Sequence, residues 1–137
     1  MTHPFHLAFP VTDLRAAHRF YVNLLGALPG RSTGHWADFD LFGHQLSAHQ
    51  VAVMPAPAGS SEVDGKPVPI PHFGVLLGWH EWEMLAVRLT EAGVDFILPP
   101  QVRFAGQSGE QGTFLVHDPA GNALEFKAFR RAEEVFA

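Results

Sequence analysis

Nine histidines and no cysteine in 137 residues set the chemical repertoire of this chain. Imidazole is the commonest metal ligand and the side chain that titrates near neutrality. The absence of thiols excludes disulfides, thiolate catalysis and cysteine-based zinc or iron–sulfur sites. Four residues stand out: His6, His49, His72 and Glu125. Each falls on the less apolar face of a predicted strand, opposite large apolar residues that can pack on a core. A single histidine or glutamate in such a place is ordinarily exposed or hydrogen-bonded. Four in one phase are expected to converge in a cavity on a divalent ion, where imidazole and carboxylate suit Fe, Mn, Ni, Zn or Co. His44 shares its face with Leu46 and Ala48, His18 and His80 fall on helix surfaces, and His3 and His35 lie in flexible or turn contexts. His117, in phase with Thr113 and Leu115, is a further candidate for the cavity wall.

The elements that must position these side chains follow from periodicity. Residues 5–11 alternate, with His6, Ala8 and Pro10 against Phe5, Leu7, Phe9 and Val11. Asp13 is a good N-cap for a helix ending before Gly26, with Leu14, Ala17, Phe20, Tyr21 and Leu24 as its apolar stripe. Strands are predicted at 28–31, 35–42 and 45–53, the last placing Gln45, Ser47 and His49 on one face. Residues 54–69, rich in Pro, Gly, Ala and Ser, read as a linker or surface loop. The order then repeats: a strand at 71–77, a helix at 80–92 with Trp82, Leu85, Ala86 and Leu89 as its stripe, a short strand at 94–98, a Gly-rich loop at 99–109, and a strand at 111–117. The turn Asp118–Asn122 feeds a last strand with Glu125 and Lys127 opposite Leu124, Phe126 and Ala128. His6-Leu-Ala-Phe and His72-Phe-Gly-Val occupy the same place in each half, so the chain reads as an internal duplication.

The expected fold is α+β: two tandem βαβββ modules forming a cupped, barrel-like mixed sheet system of eight strands with helices outside. Residues 1–137 form one domain, with modules at 1–54 and 70–129, a linker at 55–69 and a tail at 130–137. A net charge of −5 without a basic stripe argues against binding a phosphate backbone. No signal peptide or long apolar run is seen, so a cytoplasmic, non-membrane protein is expected.

The residues His6-Leu-Ala-Phe-Pro-Val-Thr-Asp-Leu, Arg19-Phe20-Tyr21, Leu25-Gly26, His72-Phe-Gly-Val and Asp118-Pro-Ala-Gly-Asn-Ala-Leu-Glu-Phe carry a resemblance over nearly the whole chain. The chain resembles the vicinal oxygen chelate superfamily, which includes glyoxalase I, extradiol ring-cleaving dioxygenases, methylmalonyl-CoA epimerase and the fosfomycin and bleomycin resistance proteins. The resemblance implies His6, His72 and Glu125 as metal ligands, with His49 near an optional fourth position. It also implies a homodimer. A two-His, one-carboxylate triad leaves positions open for a diol and O2, the pattern of non-heme Fe(II) oxygenases. Fe(II) is therefore the favoured cofactor, and an extradiol-type dioxygenase the leading reading, with His49 as the catalytic acid or base and with Glu125 as catalytic proton carrier if the chemistry is instead that of an isomerase or lyase. If His49 is a ligand, glyoxalase-type lyase or isomerase chemistry fits better. A drug-binding protein without catalysis is the third reading, ranked last because the ligand set is present.

Trp36, Asp38, Arg103, Phe104, Glu110 and Gln111 complete the set of predicted substrate contacts. Trp36 and Phe104 could stack on a ring, and Arg103 could grip a carboxylate or pair structurally with Glu110. The expected partner is a small molecule, with aromatic character in the pocket favouring a cyclic substrate.

Overall fold

The computed structural model describes residues 3–137. It divides into two compact units. The first comprises the residues up to Ala56 together with Asp118–Asn122; the second comprises Pro57–His117 and Ala123–Ala137.

In the first unit, β1 (His6–Val11) leads into α1 (Leu14–His18), then β2 (Leu28–Ser32), β3 (Trp36–Leu41) and β4 (His44–Gln50). Asp13 caps α1 by accepting from the backbone N–H groups of Arg15 and Ala16. The helix widens to a π-helical turn over Arg19–Leu24, where Leu25 N–H donates to the Phe20 carbonyl. That extra residue shifts the phase, so Leu25 is buried in place of the predicted Leu24. The sheet order is β1-β4-β3-β2, with β1 and β4 parallel and the other pairs antiparallel. Phe9, Val11, Phe39, Leu41 and Leu46 are buried under the helix, and the Tyr21 ring stacks on Phe39 at 5.4 Å.

The second unit opens with a hairpin of β5 (Gly59–Val63) and β6 (Lys66–Ile70). The sequence predicts a linker or loop over these residues, and the structure has a hairpin instead. The turn is Asp64-Gly65 with φ of 50° and 81°, the two-residue geometry that joins antiparallel strands tightly. Val68 of β6 packs with Leu98 and Leu115, which gives this polar hairpin an apolar foothold. Next come β7 (Phe73–Leu76), α2 (Trp79–Glu91), β8 (Phe96–Arg103), β9 (Gln111–His117) and β10 (Ala123–Phe129). Sheet order is β7-β10-β9-β8, the same permutation as in the first unit, again with the outer first strand parallel to the last. β8 runs through Pro99 and Pro100 instead of stopping at residue 98. It is an edge strand with two register shifts, where missing N–H groups are tolerated. α2 buries the predicted stripe of Trp82, Leu85, Ala86 and Leu89, and the Trp82 indole N–H donates to the Phe126 carbonyl at 3.0 Å.

The fold is thus α+β with two βαβββ modules. Eight of the ten strands form two four-stranded sheets that are not closed into a barrel, and β5 and β6 form a third, two-stranded sheet. No helix among the described residues is long and apolar enough to cross a membrane.

One buried polar contact organises the first unit. The Tyr21 hydroxyl donates to Asp118 Oδ2 at 2.8 Å, and both residues are buried. Burial and the adjacent carboxylate push the Tyr21 phenol well above its usual range. Its folded state therefore favours the neutral phenol, and the stability this contributes is present below about pH 10 and lost above it. Tyr21→Phe should cost about 1–3 kcal/mol in urea unfolding at pH 7. The variant should also lose less stability than the parent between about pH 10 and 11.

Candidate metal centre

The second unit brings two of the predicted ligands together. His72 Nε2 lies 3.1 Å from Glu125 Oε1, with the side chains 26% and 12% exposed. Both are anchored on their far sides. His72 Nδ1 is 2.8 Å from the Pro69 carbonyl, which can only accept, so Nδ1 carries the proton and Nε2 of the neutral ring presents a lone pair. Glu125 Oε2 accepts from the Thr113 hydroxyl at 2.5 Å. With the ring neutral and the carboxyl ionised, the two facing atoms are both acceptors, so the contact calls for one shared proton, on His72 or on Glu125, or for a cation between them. Two ligands each about 2.1 Å from one ion and at right angles lie about 3.0 Å apart, so the observed spacing fits a divalent metal. Oriented outer partners of this kind are what metal-ligating imidazoles and carboxylates ordinarily have.

Backbone geometry makes the pair possible. β7 and β10 are parallel, with Gly74 opposite Glu125. A Cβ at Gly74 would overlap the Glu125 carbonyl, so only glycine fits. The pocket at this place has a volume of about 180 Å³ and is lined by Phe73–Leu76 together with His72, Glu125 and Lys127.

In the first unit, His6 Nδ1 donates to Gln45 Oε1 at 2.8 Å, leaving Nε2 unprotonated in the neutral ring. Gln45 Nε2 in turn donates to Asp38 Oδ2 at 3.4 Å, and Ser47 Oγ donates to Asp38 Oδ1 at 2.6 Å. His6 is thus oriented by a polar ladder running across β1, β4 and β3. Register places Ala8 opposite Ser47, as it places Gly74 opposite Glu125. The first-unit counterpart of Glu125 is therefore Ser47, and His49 is the counterpart of Lys127. His49 is exposed, opposite Pro10 on one side and Trp36 on the other. Gln45 stands opposite His6, and His49 lies four residues further, about 13 Å along the strand.

The other predicted contacts are dispersed. Asp38 is spent on Ser47 and Gln45. Arg103 pairs with Asp64 of the hairpin turn, not with Glu110. Its Nε is 3.1 Å from Asp64 Oδ2 but off-line, an ion pair without an aligned hydrogen bond, and its guanidinium lies 4.9 Å from the Phe104 ring centre. Glu110 instead accepts from the Gly106 N–H and pairs with Arg130 at 3.2 Å. Gln111 is buried and donates to the Gly109 carbonyl. Sequence reasoning left out Thr113 and Lys127 as site residues, although both share the phase of Glu125 across β9 and β10. The Pro69 carbonyl left no signal, because a backbone acceptor has no residue type. Among the described residues, no three His, Asp or Glu side chains gather as a complete metal site.

A sequence profile of the Glyoxalase/Bleomycin resistance protein/Dioxygenase superfamily matches residues 3–126. The chain belongs to this superfamily. A solved glyoxalase/bleomycin resistance protein/dioxygenase from Alicyclobacillus acidocaldarius is 31% identical, with a TM-score of 0.76 over 98% of this chain and 97% of that one. The fosfomycin resistance protein FosX from Listeria monocytogenes shares the fold at 18% identity, with a TM-score of 0.70 and 98% of each chain covered. A glyoxalase/dioxygenase from Nostoc punctiforme does so at 17% identity and a TM-score of 0.70, over 94% of this chain and 92% of that one. No curated protein sequence matches the chain.

The glycine constraint gives a direct test. Gly74→Ala should destabilise the chain by about 3 kcal/mol or more through forced separation of β7 and β10. Thermal unfolding measures the loss. A variant as stable as the parent would mean that the close approach at Glu125 is absent.

Proposed function

We propose that the chain is a divalent-metal enzyme acting on a small substrate with two neighbouring oxygen atoms, with His6, His72 and Glu125 as ligands. The reading rests above all on the facing acceptors of His72 and Glu125, each anchored from behind. A bound divalent ion would supply Lewis-acid chemistry, polarising both substrate oxygens and stabilising the charge they develop. The protein's own part is orientation. Pro69 holds the His72 tautomer, Thr113 fixes the carboxylate plane of Glu125, and Gln45 sets the His6 ring.

Within the superfamily we favour extradiol-type ring cleavage of an aromatic diol with Fe(II). The place corresponding to Glu125 in the first unit is Ser47, whose hydroxyl is committed to Asp38, and His49 is remote from His6 along β4. A three-ligand set leaves positions open for a diol and O2. His49, exposed beside Trp36 and away from the ligands along β4, then serves as a proton carrier at the end of the substrate remote from the ion. In this reading the chain works as a homodimer.

Metal content of anaerobically purified protein tests the reading: iron supports ring cleavage, and nickel or zinc supports lyase or isomerase chemistry. His72→Ala should lose stoichiometric metal while its circular dichroism stays native; a variant that keeps its metal would mean the site is misplaced. His49→Ala should keep its metal and lose about 100-fold in turnover of a catechol-type substrate. Loss of metal with activity in that variant would favour the glyoxalase-type reading.

A further inference from the structure

The pocket around His72 and Glu125 holds one more charged group. Lys127, two residues beyond Glu125 on β10, is 32% exposed, with Nζ 3.9 Å from Glu125 Oε1. Its register neighbours are Leu76 and Thr113. Leucine offers no polar group, and the Thr113 hydroxyl is donated to Glu125. Among the described residues, no acid other than Glu125 lines the pocket. The ammonium is thus counterbalanced by the same carboxylate oxygen that faces His72.

That arrangement has a charge consequence. With neutral imidazoles, Glu125 (−1), a divalent ion (+2) and Lys127 (+1) sum to +2. Like charges held this close in a part-buried pocket repel unless an anion joins them. Arg103, on β8 with β9 between it and β10, is already engaged by Asp64. Lys127 is therefore the cation at this pocket that a ligand can use.

We infer that the site selects an oxyanionic substrate, with a carboxylate or phosph(on)ate against Lys127 and a neighbouring oxygen at the His72–Glu125 pair. This rests on the metal-site reading above and narrows its substrate class. A lysine ammonium is a compact point charge without a planar fork, so planar carboxylates and tetrahedral anions both fit it.

Isothermal titration calorimetry of the full chain, with and without Mn²⁺, tests this using oxalate, inorganic phosphate and neutral catechol as probes. Lys127→Met should bind Mn²⁺ at least as well as the parent, because a competing cation is gone. It should lose about tenfold or more in affinity for oxalate or phosphate, the loss expected for a charge-assisted contact, while catechol binding is unchanged. The anion that suffers the larger loss tells a carboxylate from a phosph(on)ate substrate. Lys127→Arg should restore most of the anion affinity, and it guards against a misfolded Met variant. Equal anion affinity in parent and Lys127→Met, no anion binding by the parent, or an equal loss for catechol would each overturn the inference. A parent that binds no Mn²⁺ yet loses anion affinity with Lys127→Met would defeat the metal reading and leave this one standing.

Discussion

The close approach of the Gly74 backbone to the Glu125 carbonyl is the constraint on which the chemistry of the second unit depends. Strand β7 can lie in parallel register against β10 only because position 74 has no Cβ. That contact brings the residue two places earlier, His72, within 3.1 Å of the Glu125 carboxylate. Thr113 on β9 and the Pro69 carbonyl at the end of β6 then complete the frame. On the sheet's other face, a Cβ at Gly112 would come within 2.6 Å of the Trp82 ring, so a second glycine lets α2 seat its indole on the sheet. One glycine serves the site and the other the core beneath it.

The first unit is organised around buried polar groups that are fully matched. The Asp118 carboxylate accepts from the backbone N–H groups of Ala120 and Asn122, from the Asn122 side chain and from the Tyr21 hydroxyl. A carboxylate this buried would be costly without such partners. Asn122 also donates to the Pro10 carbonyl, tying the turn to the end of β1. The Asp-Pro-Ala-Gly-Asn turn is thus as much a core element of that unit as a connection.

The two modules share one strand permutation and one register, yet their equivalent positions have diverged in chemistry. Where one has Gly74, Glu125 and Lys127, the other has Ala8, Ser47 and His49. In the second unit a carboxylate is turned toward an imidazole with an ammonium beside it. In the first, a hydroxyl is tied to Asp38, and His6 is steered by an amide. The same frame is present in both units, and differences at three matched positions separate a donor pair from a supporting polar ladder.

The sequence by itself determined the two βαβββ modules, the cap at Asp13, the buried stripe of α2 and the outward phase of His6, His72 and Glu125. These features rest on periodicity and local chemistry, which neighbouring residues carry in full. It also carried the superfamily motifs, and with them the membership that the profile match bears out. Tertiary structure decided what depends on partners distant in the chain. The hairpin at Gly59–Val63 and Lys66–Ile70 forms because Val68 finds Leu98 and Leu115, a contact that its polar, proline-rich sequence does not announce. Register separated His49 from His6, and only a paired β1 and β4 show that Gln45 is the opposite residue. Arg103 went to Asp64 and Glu110 to Arg130 because strand pairing and the hairpin turn, not proximity in sequence, set which charges meet.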